Sequence, residues 1–202
     1  KRLTFASSIA APAMGENDWL PTLYGAHKVC NEQMAAVYWQ DWQVPSVCIR
    51  PGVIYGPGRD QGMSAAPTIA MLAALEGKPY NIPFTGPVAF VHASDAAARF
   101  ITAVSKETQG ALVFDMQGTE MDIKDVIEAI RSNVPGADIT MSGEPLPFPH
   151  APDDGSLDDY LGITSYTSMQ DGIKQTLDML RAARRRGVLT QELARHLIEN
   201  NT

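Results

Sequence analysis

Several shortages bound this sequence before any motif is read. Only 2 of the 202 residues are cysteine, Cys30 and Cys48, so there is no disulfide framework. Two buried, reduced thiols in a cytoplasmic protein are expected. Positive charge is in deficit, with 16 Lys+Arg against 23 Asp+Glu and a formal charge of -7. That balance excludes a broad nucleic-acid or anionic-membrane surface, both of which need excess cations. No apolar run approaches the ~20 residues that span a bilayer, and Lys1-Arg2 opens onto an apolar stretch too short for a secretory leader. The four histidines His27, His92, His150 and His196 lack ligand spacing, which argues against a metal site. Also missing are a glycine-rich strand-to-helix turn and Walker A, HExxH, CxxC and GxSxG patterns.

What is present is an ordinary globular composition, 45% hydrophobic and 19% charged, enough for a packed core. Leu3–Ser8 reads as a buried strand ending in hydroxyls, 10–21 as a loop, and Gly25 to Trp42 as a helix whose apolar face includes Val29, Ala36 and Tyr38. Strands are expected at 45–50, 88–92, 111–116 and 138–141, and helices at 67–76, from about 94, and at 123–133. Residues 51–62 and 144–159 read as loops. Thr119-Glu120-Met121-Asp122 and Ser168-Met169-Gln170-Asp171 resemble capping boxes. The second opens a helix carrying Ile173, Leu177 and Leu180 on one face. Arg184-Arg185-Arg186 followed by Gly187 suits a helix C-terminus better than a nucleic-acid patch, and 191–199 reads as a last helix.

Strands alternating with helices predict an α/β fold with a largely parallel sheet. Residues 1–60 are assigned to the main sheet domain. Residues 61–202 are mostly a smaller mixed lobe, with 88–116 returning to the sheet. The chain starts at Lys1, without Met, and enters a strand within two residues, so a part upstream is expected.

The chemistry centres on Tyr24-Gly25-Ala26-His27-Lys28. Four residues apart, the phenol and the ammonium share one helix face. A phenol titrates near ~10, and an adjacent cation favours its ionised form. Such a pair suits proton transfer at a substrate hydroxyl, with Ser8 at the strand end as a second hydrogen-bonding group. Taken alone, YxxxK equally describes a tyrosine near a helix start and a solvated lysine.

Phe5-Ala6-Ser7-Ser8, Tyr24 to Lys28, Ile49-Arg50-Pro51-Gly52-Val53-Ile54-Tyr55-Gly56-Pro57-Gly58 and Phe90-Val91-His92-Ala93-Ser94-Asp95 occur in that order. Together they resemble the extended short-chain dehydrogenase/reductase family, of the NAD-dependent epimerase/dehydratase type, lacking its N-terminal third. The resemblance implies the C-terminal part of a Rossmann-type doubly wound sheet with a smaller substrate lobe, and NAD or NADP as cofactor. It implies Ser8, Tyr24 and Lys28 as catalytic residues, with Ser7 the neighbouring possibility and a substrate contact. Tyr24, Lys28, Pro51 and Val53 would meet the cofactor, and Gly52 and Arg59 the substrate. His92 and Asp95 read as structural.

The sequence departs from the family pattern in three places. The glycine-rich pyrophosphate loop is absent. Ala11-Pro12-Ala13 stands where sugar-nucleotide enzymes often carry Val-Tyr-Gly. Gly52 stands where many of them have Asn, and Gly86 to His92 contains no Arg. Cations for a diphosphate reduce to Arg59 and Lys78, and the acidic stretch 153–159 would repel one. A small carbohydrate-like secondary alcohol is therefore favoured over a nucleotide-sugar, with epimerase the alternative. Dehydratase ranks last, since Ile9-Ala10 supplies no acid/base pair, and a non-catalytic binding module remains a further alternative. The implied partners are a small-molecule substrate and a second copy of the chain. In the latter case Val37, Tyr38 and Trp42 on the Tyr/Lys helix either form a dimer face or pack within the subunit, and the sequence leaves both open. With no pyrophosphate loop, the 202-residue chain by itself is expected to show no NAD(P)-dependent turnover; a measured rate with the purified chain would refute this.

Overall fold

The strand β2 (Ser46–Pro51) is hydrophobic on both faces because it lies in the middle of a sheet. Val47, Cys48 and Ile49 are each 1% exposed or less. The computed structural model describes residues 2–13, 22–116, 118–147, 155–163 and 165–200. Within it β2 pairs in parallel with β1 (Leu3–Ala6) on one side and β6 (Ala111–Met116) on the other, in the order β1-β2-β6. Alternate side chains leave opposite faces. Cys48 and Arg50 turn toward the helix α1 (Leu23–Trp42). On β6, Asp115 is the register partner of Arg50. Its neighbour Phe114 faces away and stacks on Tyr160 with ring centroids 4.9 Å apart.

By its internal contacts the chain divides into two compact units. The first holds Lys1–Gly52, Ser94–Gly118 and Pro147–Ser165, and the second Val53–Ala93, Thr119–Leu146 and Tyr166–Thr202. The first unit adds α3 (Ala93–Ser105), all but its first residue, and α5 (Ser156–Leu161) to the three-stranded sheet. The guanidinium of Arg99 on α3 is 1% exposed and donates from Nε to Asp158 Oδ1 at 2.9 Å and from Nη2 to Oδ2 at 3.0 Å. Lys106 donates to the carbonyl of Tyr160. Asp158 and the end of α5 are thus held by cations of their own unit.

The second unit is built around α2 (Ala66–Leu75), whose residues from Ala66 to Ala74 are all buried. A helix apolar on all sides needs neighbours on all sides. Its packing partners include α4 (Ile123–Asn133), α6 (Met169–Arg185), α7 (Gln191–Glu199) and β4 (Tyr80–Ile82). Two small sheets complete the unit. One orders β3 (Val53–Tyr55), β5 (Pro87–His92) and β7 (Thr119–Asp122), with β7 antiparallel; the other pairs β4 with β8 (Ile139–Met141). Tyr55, Phe90 and His92 form an edge-to-face cluster, and His92 Nε2 lies 3.4 Å from Thr176 Oγ1. Gly172 is obligatory beside it, because a Cβ there would sit 1.9 Å from the Tyr55 hydroxyl.

Several sequence expectations are corrected. Residues 51–62 contain the strand β3, formed because Val53 and Tyr55 bury against β5. β4 was not foreseen. The capping box at 119–122 is instead the strand β7, and Asp122 alone caps α4 by accepting from Lys124 N. The loop at 144–159 contains α5, whose Leu157 and Leu161 are buried; residues 148–154 of that reading, and 14–21 of the earlier loop, lie outside the described residues. Cys30 is exposed, because the buried stripe of α1 runs through Gly25, Glu32 and Ala35 and leaves Met34, Val37, Tyr38 and Trp42 outward. The cap at Ser168 forms as read, and Thr190 caps the last helix as well. Among the described residues no helix is long and apolar enough to cross a membrane.

Removing the carboxylate of Asp158 would strand the guanidinium of Arg99 in the interior. Asp158→Ala is expected to cost about 3–5 kcal/mol, read as a lowered midpoint in urea unfolding; a loss below about 1 kcal/mol, the value of a surface pair, would contradict this account of the first unit.

Candidate functional site

The three parallel strands of the first unit end together, β1 at Ala6, β2 at Pro51 and β6 at Met116. Ser7 N donates to Ile49 O at 2.8 Å, Ile9 N to Pro51 O at 3.3 Å and Gly52 N to Met116 O at 2.8 Å. These bonds tie the stretch after β1 to the end of β2, and the residue after β2 to the end of β6. Ligands of open α/β sheets lie in the crevice beyond such strand ends. Ser8 sits there half-buried, its Oγ accepting from Ala10 N at 3.1 Å.

The helix α1 begins at the same place. Thr22 caps it, its Oγ1 accepting from Gly25 N at 3.0 Å. Gly25 then rests directly on the main chain, since a Cβ at this position would lie 2.5 Å from Ala10 O. The missing side chain lets the first turn of α1 reach the turn that follows Ser8. Tyr24, next to Gly25, is 54% exposed. One turn on, Lys28 is half-buried. Its ammonium donates to Ala6 O at 2.8 Å and lies 5.3 Å from the centre of the Tyr24 ring. The cation is therefore held between the aromatic face and the last carbonyl of β1.

The structure thus joins Tyr24 and Lys28 to each other, and Lys28 to the strand leading into Ser7 and Ser8. Pro51 and Gly52 end β2 in the same unit. Val53 and Arg59 belong to the second unit. There Val53 pairs with Phe90, and Arg59 donates from Nη2 to Ser64 Oγ at 2.8 Å. Ser7 is buried and its hydroxyl is engaged elsewhere, donating to Glu32 Oε1 at 2.5 Å.

Glu32 was not singled out from the sequence. It lies four residues beyond Lys28 on the buried stripe of α1, a stripe the sequence does not mark as buried. Its Oε1 accepts from Ser7 Oγ, from Arg50 Nε at 2.8 Å and from Cys48 Sγ at 3.9 Å, while Oε2 accepts from Arg50 Nη2 at 2.6 Å. Arg50 Nη1 also lies 3.6 Å from Asp115 Oδ1. Burial pushes the Glu32 carboxyl upward, but the hydrogen bonds from Arg50 and Ser7 outweigh it and hold the group below its ordinary value. The same bonds push Arg50 up. Burial, with the Glu32 charge next, drives the Cys48 thiol up to about 12.

Two cavities lie away from this strand end. One of about 440 Å³ is lined by Leu3, Phe5, Met34, Ala35 and Tyr38 among others, at the opposite end of β1 from Ser8. A groove of about 970 Å³ belongs to α7 and the segment after α2. Among the described residues no group of three or more His, Cys, Asp or Glu is placed to hold a metal ion.

Glu32 also yields a pH-dependent stability with a definite sign. Its folded-state carboxyl lies below the unfolded value of 4.5. The stability it contributes is therefore complete above that value and is lost as pH falls through the folded value. Glu32→Gln is expected to lower stability by about 3 kcal/mol at neutral pH, with the gap to wild type closing below pH ~4. Denaturant unfolding between pH 3 and 7 checks it, and a pH-independent gap would contradict it.

Comparison with known proteins follows this geometry. The model of the NAD dependent epimerase/dehydratase family matches residues 1–114. No curated protein matches. Among solved structures, a partial-consensus L-threonine 3-dehydrogenase superposes with a TM-score of 0.78 at 19% identity, over 90% of this chain and 66% of that one. A UDP-glucose 4-epimerase from Thermus thermophilus, in complex with NAD, gives 0.71 at 23% identity over 91% and 65%. A UDP-glucuronic acid 4-epimerase from Bacillus cereus gives 0.73 at 21% identity over 90% and 62%. These likenesses show the fold, a Rossmann-type α/β arrangement, and the chain spans just under two thirds of the length of each of these structures. With more than half of its residues inside the family model, the chain belongs to the NAD-dependent epimerase/dehydratase family.

Proposed function

We propose that this chain supplies the reacting residues of an NAD(P)-dependent oxidoreductase acting at a secondary alcohol or ketone of a small carbohydrate-like substrate. The observation that carries this reading is Lys28, whose ammonium bridges Ala6 O and the ring of Tyr24 at the carboxyl end of β1.

The donor set fits the nicotinamide-ribose half of a dinucleotide. Lys28 has three N–H donors and uses one on Ala6 O, which leaves two for ribose hydroxyls. Pro51 and Gly52 lie at the adjoining strand end, and Val53 follows them in the chain. No glycine-rich turn for a pyrophosphate is present in the sequence. When bound, a nicotinamide ring accepts or returns a hydride. Tyr24 takes the proton of the substrate hydroxyl during oxidation and gives it back during reduction. Ser8 hydrogen-bonds the same oxygen and fixes it toward the phenol. Ser8 is preferred to Ser7 for this role, because the Ser7 hydroxyl donates to Glu32.

A small substrate is favoured because Gly52 stands where many sugar-nucleotide members have Asn and the stretch Gly86 to His92 holds no Arg, whereas a diphosphate needs cations or aimed amides. Two of the structurally similar proteins are described as L-threonine dehydrogenases, and threonine is itself a small secondary alcohol.

The test uses the complete protein with NAD and NADP, offering L-threonine, sugar acids and UDP-glucose. Net reduction of the cofactor with a small alcohol is the expected result, and Tyr24→Phe should lower kcat by at least about 10²-fold. Interconversion of UDP-glucose without net cofactor reduction would replace the dehydrogenase reading by the epimerase. Full activity of Tyr24→Phe would remove the assignment of Tyr24 altogether.

A further inference from the structure

Three residues at and just beyond the end of β1, Ala6, Ser7 and Ala10, meet α1. The carbonyl of Ala6 receives the ammonium of Lys28 at 2.8 Å. The hydroxyl of Ser7 donates to Glu32 at 2.5 Å. Ser8 then starts the turn whose Ala10 carbonyl lies under Gly25. Glu32 carries the linkage further. It is 7% exposed and grips Arg50 through both carboxylate oxygens, and Arg50 immediately precedes Pro51-Gly52. One buried carboxylate therefore touches the helix bearing Tyr24 and Lys28, the strand leading to Ser8, and the strand leading to the Pro-Gly segment.

Beyond the Gly25–Ala10 contact and the Lys28–Ala6 bond, α1 has few buried side chains to fix its register. Its buried residues are only Gly25, Glu32 and Ala35, and glycine and alanine are too small to lock a helix against sliding. The ion pair and hydrogen bond have directional geometry that an apolar contact at this position would lack. Ordinary helix packing onto a sheet uses branched apolar side chains; here the central contact is polar and tridentate.

We propose that Glu32 is a positioning residue, which holds Lys28 and Tyr24 in register with Ser8 by binding Ser7 and Arg50 at once. It touches neither substrate nor cofactor. The inference rests on the reading of Ser8, Tyr24 and Lys28 as the reacting set, and the experiment separates the two.

Ser7→Ala removes one hydrogen bond and leaves the Glu32–Arg50 pair in place. Glu32→Gln keeps the size of the side chain and removes its charge. Ser7→Thr keeps the hydroxyl. In NAD-linked oxidation of L-threonine by the complete protein, Ser7→Ala and Glu32→Gln are expected to lower kcat at least about tenfold with KM changed less than about threefold, because misplacement of reacting groups falls on the chemical step. Ser7→Thr is expected to regain at least half of the wild-type kcat. A structural role alone would lower the amount of folded protein without that split or that rescue. The second measurement needs no turnover. Nuclear Overhauser contacts from the Lys28 side chain to the backbone of residues 6–8, recorded on the 202-residue chain, should vanish in Ser7→Ala and persist in Ser7→Thr, with thermal melts confirming folded samples. If those contacts survive in Ser7→Ala, or kcat stays within twofold of wild type, the positioning role is overturned. Full activity of Tyr24→Phe overturns the underlying reading instead, and the Overhauser result then decides Glu32 by itself.

Discussion

A carboxylate removed from water must be repaid in hydrogen bonds, and the candidate site is organised around one such group. Glu32 receives two N–H bonds from Arg50 and one O–H bond from Ser7, enough to keep it ionised despite its burial. Its partners come from the residue after β1 and from β2, and neither can move independently of α1 while the bonds persist. The fixed geometry of α1, β1 and β2 at their shared end is a consequence of satisfying that one charge.

The same principle recurs on the other face of the first unit. Arg99 is more deeply buried than Glu32, and it is answered by a bidentate carboxylate from a segment whose sequence suggested only solvent-exposed acid. Two buried ion pairs thus tie distant segments of chain to the three-stranded sheet, Glu32 to β2 and Asp158 to α3. The second unit solves its packing differently. Its central helix is apolar on all sides, and its buried polar groups are few, with Thr176 donating back to Gly172 O at 2.7 Å and lying beside His92.

The three parallel strands of the first unit, the long Tyr/Lys helix and the last two helices were legible from periodicity and, at Ser168, from a cap. The reason is that each satisfies a local rule, an apolar run bounded by turns or a hydroxyl before an amphipathic stretch. What was missed obeys no local rule. β3 and β7 are short strands that exist only because β5 lies between them. The apolar residues of α1 leave open whether they pack inward or form a face between copies, and the buried series is instead the sparse Gly25, Glu32 and Ala35. Tyr24, Lys28 and Ser8 were readable as a resemblance, but the carboxylate beneath them was not. A glutamate in a helix signals solvent until the arginine that meets it, 18 residues on, is known to lie across the sheet.

The contact of Gly25 with Ala10 is of main chain with main chain. Nothing in it can rotate, shrink or be exchanged, so the spacing it sets is a constant of the fold, governed by atomic radii alone. A side chain at position 25 would have to push the first turn of α1, and the phenol it carries, away from the turn after Ser8.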